Sequence, residues 1–344
     1  MKHARMMTSS AAICAGALVM AGYAGGARAE SLAPSPPTAR QEQKAPDGAK
    51  LVTLGTGGGP MVRKSRSQSA SLLQVDGRIY LIDAGDGVSQ KLVDSGYAPI
   101  DVSTIFLTHL HFDHVAGLAP LIGFNWISNA GTPINIYGPP GSKAFVGDAL
   151  KYLSIPEGIY AAQTPTLKPI ASLVIGHELD ASSPTTMYRD DKVTVTAVEN
   201  SHYSNVDPAK RAPGAKRSYA YRFDTPYRSF VFTGDTGPSE ALEKLARNAD
   251  VLICEVMDFN EVIAYVMALP GPESAKAAPI EHMRREHVGP EEVGKLATKA
   301  NVKMVVLNHV GSNAPTGRFS PDLAQQVRMF FQGVVVMAGD GDEL

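Results

Sequence analysis

Cysteine is nearly absent from this chain: 344 residues hold 2, Cys14 and Cys254. Cys14 falls in an apolar head segment, so removal of that head leaves one thiol and excludes an internal disulfide. Surplus charge is lacking as well, since 32 Lys and Arg against 34 Asp and Glu give a formal net charge of −2. Nothing global then draws the protein to nucleic acid or an anionic membrane, and any contact with a polyanion has to be local. An apolar run of spanning length is also wanting. The stretch from Ala11 to Tyr23 falls short of the roughly 20 residues a transmembrane helix needs, so stable membrane insertion is not expected.

What the head does contain is Lys2, His3 and Arg5, then that apolar stretch, then Ala27-Arg28-Ala29. This is the layout of a secretory signal peptide, residues 1–29, with cleavage expected after Ala29 and a periplasmic or secreted product. Residues 30–49 are rich in Pro, Ala, Gln and Lys and read as a disordered linker. The remainder, 50–344, has 44% hydrophobic and 19% charged residues in the chain as a whole to draw on. That is ordinary globular composition with material for a large core, in one domain or two close-packed halves.

The densest chemistry lies in Thr108-His109-Leu110-His111-Phe112-Asp113-His114, directly after the apolar run Val102 to Leu107. Imidazole nitrogen and carboxylate oxygen are the donors that borderline cations such as zinc prefer. In an extended or tightly turned backbone, residues two apart point the same way, so His109 and His111 can grip one ion while Asp113 and His114 reach a second. The preceding run reads as a buried strand, which places the donors at its carboxyl end, where open sheets carry their sites.

Further along, ligand-type residues recur at strand ends. Leu51 to Leu54 runs into the glycine-rich loop Gly55 to Pro60, expected close to the metal site. Ser71 to Val75 and Arg78 to Ile82 form a hairpin across Asp76-Gly77. Asp83, before Ala84-Gly85, is either a turn former or a carboxylate that orients a ligand imidazole. Helices are predicted at 88–95, 115–128 and 142–153, with a strand at 134–137. From Ile155 to Asp191 the pattern is irregular and reads as an insertion or lid. Strand 192–198 leads to His202, and Lys210, Arg211, Lys216 and Arg217 form a basic loop suited to a local anion contact. Strands 218–223 and 229–232 lead to Asp235 in Thr233-Gly234-Asp235-Thr236-Gly237, where a carboxylate can bridge two cations. A helix at 238–247, the buried strand 250–255 ending at Glu255, a helix at 258–268, a proline-bearing loop to His287 and a helix to about Ala300 follow. The final predicted strand, Val302 to Leu307, ends at His309. Strands alternating with helices, twice over, argue a sandwich of two sheets with helices outside.

These residues carry a resemblance. Leu54 to Pro60, Leu81-Ile82-Asp83-Ala84-Gly85, the H-x-H-x-D-H of 109–114, Phe232-Thr233-Gly234-Asp235-Thr236 and Asn308-His309 are similar to motifs of the metallo-β-lactamase fold superfamily, in its ribonuclease Z (tRNase Z and arylsulfatase-like) branch. The resemblance implies an α/β (α+β four-layer) fold, the αββα metallo-β-lactamase sandwich, with two zinc ions, manganese being the alternative metal. His109, His111 and His202 would hold one ion and Asp113, His114 and His309 the other, with Asp235 bridging and Asp113 also helping to orient the attacking water. Members of that branch carry a glutamate and a later histidine that protonate the leaving group, and Glu255 and His287 fall at the corresponding places. The implied activity is hydrolysis of a phosphodiester or related ester; a lactonase, arylsulfatase or β-lactamase is the alternative, and a non-catalytic metal-binding protein a third. The glycine- and proline-containing arm that grips tRNA in that branch is not recognisable, and an exported protein would not meet precursor tRNA, so the expected partner is a small-molecule or short ester substrate. The oligomeric state stays open, a homodimer being one candidate. The closing Gly341-Asp342-Glu343-Leu344 resembles a retention tail and is read as coincidence.

Overall fold

The computed structural model describes residues 48–128, 131–207, 209–211, 216–312 and 323–344. The proposed signal peptide and nearly all of the linker lie outside the described residues. Ala49, read as linker, is already the first residue of a strand.

Two seven-stranded sheets carry the fold. The first is built from β1 (Ala49–Gly55), β2 (Ala70–Val75), β3 (Arg78–Ile82), β4 (Thr104–Phe106), β5 (Ile134–Gly138) and β6 (Val174–Glu178) in sequential order, with β14 (Asp342–Glu343) on the outer side of β1. The second runs β7 (Thr185–Arg189), β8 (Thr194–Glu199), β9 (Tyr219–Asp224), β10 (Ser229–Phe232), β11 (Val251–Met257), β12 (Met304–Gly311) and β13 (Val334–Met337). Each sheet starts as an antiparallel meander and turns parallel, from β3 to β6 in one and from β10 to β13 in the other. The Asp76-Gly77 hairpin forms as the sequence predicts, both residues adopting positive φ.

Period-two alternation sorts the strand residues into layers. Leu51, Leu73, Tyr80 and Phe106 of the first sheet meet Tyr221, Phe230, Ile253 and Val306 of the second in a central core. Their neighbours Val52, Leu72, Leu81 and Ile105 point outward under α1 (Val88–Asp94), α3 (Leu118–Ser128) and α4 (Ser142–Gln163). On the far side Ala220, Val231, Leu252 and Val305 lie under α5 (Glu240–Leu245), α8 (Pro290–Lys299) and α9 (Leu323–Arg328). The result is the αββα sandwich that the sequence implied. Three further helices, α2 (Phe112–Val115) after β4 and the pair α6 (Phe259–Ala268) and α7 (Ser274–Glu286) after β11, stand beyond the carboxyl ends of strands.

Three expectations are corrected. Segment 155–191 is no lid: α4 continues through Pro156 to Gln163, and β6 and β7 form the far edges of the two sheets. Prolines and short, half-exposed strands hid this, because an edge strand needs neither a long apolar run nor clean alternation. The proline-bearing loop before His287 is helix α7, with Pro279 inside it. Val302 to Leu307 is not the last strand, since β13 and β14 follow, and the four-residue tail is sheet. Leu51 and Leu344 exchange both backbone hydrogen bonds at 3.0 and 2.9 Å, and the Gly341 N–H donates to Thr53 O at 2.7 Å.

Candidate metal centre

The donors converge where strands of both sheets end. His109 follows β4, Asp113 and His114 lie on the single turn of α2, His202 follows β8, Asp235 follows β10, and His309 sits inside β12. There the register slips: Glu255 faces Asn308 and Val256 faces Val310, leaving His309 as an extra residue. Its φ is 42°, outside the usual range for a branched-ring side chain. A bulge of this kind re-aims one side chain while the ladder continues on either side.

Two four-residue groups result, sharing one carboxylate. His109, His111, His202 and Asp235 form the first; Asp113, His114, Asp235 and His309 form the second; within each, one donor atom per residue lies within 4.8 Å of the others. All are buried except His111, which is half-buried. Asp235 Oδ2 lies 3.8 Å from His109 Nε2, and its Oδ1 lies 3.2 Å from His114 Nε2 and 3.3 Å from His309 Nε2. Asp113 Oδ2 is 3.1 Å from His309 Nε2.

Surrounding groups fix the rings. His114 Nδ1 is 2.8 Å from Asp83 Oδ2, whose other oxygen accepts the Thr108 N–H at 2.8 Å. Asp83 is thus the orienting carboxylate, and its φ of 60° shows the turn serving that placement. His202 Nδ1 donates to Glu286 O at 3.0 Å, and His109 Nδ1 lies 3.1 Å from Thr108 Oγ1. The glycine-rich loop closes over the cluster, with the Gly59 N–H 3.4 Å from His309 Nε2. A Cβ at Gly59 would fall 2.0 Å from Asp113 Oδ2, and one at Gly234 would meet Tyr219 O at 2.9 Å. Both positions need glycine for close approach.

The donor set fits divalent ions on an observation independent of its sequence. His109 Nε2, His114 Nε2 and Asp235 Oδ1 are buried yet hydrogen-bond to nothing, although such groups rarely go unpaired. The close pair His114 and Asp235 is misaligned for a hydrogen bond, as expected when each offers a lone pair to a common point. Burial holds His109, His111 and His202 below their ordinary pKa, whereas at His114 and His309 burial is outweighed by the neighbouring carboxylates, Asp235 foremost, which hold it above. Against the pull of burial, His309 and His114 keep Asp235 far below the usual carboxylate range.

Glu255 and His287 stand beside this centre. Glu255 Oε2 is 2.7 Å from His287 Nδ1, and Glu255 Oε1 accepts the Thr236 N–H. Although burial opposes it, the Glu255 carboxylate pushes His287 up to about 9. Two neighbours escaped sequence reasoning. Tyr203 packs its ring on His202 and His111, with centroids 5.0 and 5.4 Å away. His282, on the unforeseen α7, reaches to 5.8 Å from the His287 ring and 2.9 Å from Glu286 Oε2. Adjacency to His202 was the one signal for Tyr203; His282 was hidden by the prolines that mask its helix. In the basic loop Arg217 pairs with Asp180 and Glu199, and Arg211 donates to the carbonyls of Val206, Lys216 and Tyr203, while Lys210 and Lys216 are exposed. Among the described residues no helix is long and apolar enough to cross a membrane.

The family model described as "Beta-lactamase superfamily domain" matches residues 78–310. A curated relative, ribonuclease Z of Mycolicibacterium gilvum, is 27% identical over 266 residues, covering 76% of this chain and 83% of its own. Among solved structures, the metallo-β-lactamase fold protein YhfI from Bacillus subtilis superposes with a TM-score of 0.59 at 21% identity, covering 87% of this chain and all of its own. Human tRNase Z, short form, gives 0.58 at 21% identity, covering 86% and 98%.

Proposed function

Because the chain belongs to the β-lactamase superfamily, we propose that this hydrolase binds two zinc ions, or manganese in their place, and cleaves a phosphodiester or related small ester. The observation that carries the reading is the pair of donor groups sharing Asp235, with inward-facing donor atoms left unpaired. His109, His111 and His202 would hold one ion, Asp113, His114 and His309 the other, and Asp235 both. When bound, two divalent ions supply Lewis acidity, bringing the pKa of water near 7 from 15.7 and neutralising charge on a substrate oxygen.

The chain's own residues supply the rest. Asp113 accepts a proton or orients the attacking water from its place between His309 and His114. Glu255 holds the His287 ring by Nδ1, which leaves Nε2 to carry the proton that a leaving alkoxide needs. Raised to about 9 by the Glu255 carboxylate, His287 holds its proton at neutral pH, as a general acid must before it donates.

The curated relatives are named ribonuclease Z, so RNA is the competing substrate. The formal net charge of −2 and the unrecognised tRNA-gripping arm support the small ester instead, since a polyanion needs an excess of cations along its path. Export rests on the head segment alone; protein recovered from its native host should begin at Glu30.

The test is metal analysis with a panel of bis-nitrophenyl phosphate, aryl sulfate, lactone, nitrocefin and precursor RNA on the full chain. Two ions per chain and phosphodiester turnover are expected, with turnover abolished by D235A. In H287A, esters with poor leaving groups should slow by about 10²–10⁴-fold while activated nitrophenyl esters change little. Fewer than two ions and no hydrolysis after zinc or manganese is supplied would leave only the non-catalytic reading; cleavage of RNA alone would replace the substrate.

A further inference from the structure

Resting on that reading, we propose that the cavity between the glycine-rich loop and helices α6 and α7 is a subsite for an apolar arm, aryl or short alkyl, of an anionic ester substrate. The cavity measures about 310 Å³, at the lower end of small-molecule pockets and enough for one ring.

Its position follows from the same segments that build the metal centre. β11 runs on from Glu255 to Met257, β12 runs on from His309 to Gly311, and the loop whose Gly59 touches Asp113 continues into Pro60, Met61 and Arg63; all of these line the cavity. Met257 and Gly311 stand two residues beyond Glu255 and His309, and Gly59 abuts Asp113, so an arm bound there lies beside the donor centre. The opposite wall is fixed in place. Asp258 caps α6 by accepting from the Asn260 and Glu261 N–H groups, its own N–H donates to Gly311 O at 2.8 Å, and Lys276 Nζ ties α7 to Met267 O at 2.6 Å.

The wall chemistry selects the arm. Met61, Met257, Val262, Val266, Leu269 and Met283 present hydrocarbon and thioether, the latter adapting readily to a ring. The lining side chains with polar ends are Arg63, Tyr265 and Lys276, and two of them are engaged: Lys276 with Met267 O, and Arg63 with Gly58 O at 3.0 and 3.1 Å. A nucleobase would find few partners for its edges, which sets this pocket against RNA. Arg63 donates from Nε and Nη2 to Gly58 O and from Nη1 to Ser312 O, so its guanidinium closes one end of the wall and the anionic end of a substrate is left to the donor centre. That suits a phosphate or sulfate ester with one apolar substituent. Glu261, the acidic group nearest in sequence on α6, instead accepts from the Ser312 hydroxyl.

Calorimetry on the zinc-loaded full chain with phenylphosphonate and methylphosphonate, neither of which can be hydrolysed, tests the subsite directly. Phenylphosphonate should bind at least about tenfold more tightly, the gain coming from burial of the ring. Ala275→Trp, on the exposed face of α7 where it meets the cavity, should bring the two ligands within about twofold while methylphosphonate binding is unchanged. Met283→Ala should enlarge the space and shift preference toward 1-naphthylphosphonate. Equal binding of phenyl and methyl ligands by the unmodified chain, or a preference that survives Ala275→Trp, overturns the subsite. A ring preference lost in Ala275→Trp without hydrolysis of any ester would leave the subsite standing and remove the proposed activity; hydrolysis without ring preference would do the reverse.

Discussion

Asp83 illustrates how much a single carboxylate decides in this centre. Its Oδ2 holds His114 Nδ1 and its Oδ1 accepts the Thr108 N–H, so one buried side chain sets both a ligand's ring orientation and the path of the chain into His109. Asp83→Asn keeps the shape but loses the charge-assisted hydrogen bond. Metal affinity should fall by about 10–100-fold, measured by competition with a chromophoric chelator, while far-UV circular dichroism stays unchanged. An unaltered affinity would mean that Thr108 and the α2 turn orient His114 without it. The sequence left Asp83 balanced between turn former and ligand support, and both roles hold: a positive φ makes the turn, and the turn delivers the carboxylate.

Among the elements, the glycine-rich loop and the tail strand do the most outside their own segments. The loop leaves β1 and reaches across to the other sheet, with the Gly57 N–H donating to Ser67 O ahead of β2 and the Gly58 N–H to Val310 O of β12. Gly59→Ala would push a methyl group to 2.0 Å from Asp113 Oδ2. We expect a folded protein that retains fewer than two ions after dialysis, read by elemental analysis; two retained ions would show that the loop yields. Deleting residues 341–344 removes β14 and its hydrogen bonds to Leu51 and Thr53. At roughly 0.5–1.5 kcal/mol per hydrogen bond the loss is about 2–4 kcal/mol, and β1 becomes a free edge open to pairing between chains. Denaturant unfolding should show the former, and light scattering the latter. The tail looked like an appended signal because two strand residues carry no periodicity.

For the molecule as a whole, the central core joins the two sheets, and its polar rim beyond β7 carries a carboxylate outside the donor cluster. Asp190 lies there; burial favours its neutral form, but Tyr80, the Val193 and Lys192 N–H groups and Arg78 together hold its pKa down to about 2 from an ordinary 3.8. A depressed folded-state value contributes stability that is complete above the unfolded pKa and is lost as pH falls through the folded one. Melting temperature should therefore drop between about pH 4 and pH 2 in the unmodified chain. Asp190→Asn should melt lower than the unmodified chain at pH 5, with a gap that narrows toward pH 2. A constant gap across that range would assign the loss to other carboxylates.

Local order was enough to declare most of the centre. H-x-H-x-D-H after a buried strand, and single ligand-type residues at later strand ends, announce donors because a strand end is where a side chain can leave the core without breaking the ladder. Continuous apolar runs likewise marked strands that are buried on both faces, β4 and β11 among them. What the chain could not declare locally is which donors share an ion, that His309 is thrown out of β12 by a bulge, and that α7 brings His282 and the walls of the apolar cavity to the site. Those outcomes depend on pairing between β11 and β12, which are separated by three helices in sequence, and on helices interrupted by proline. Residue chemistry thus pointed to the candidate donors, and packing at long sequence separation decided their arrangement and what lies beside them.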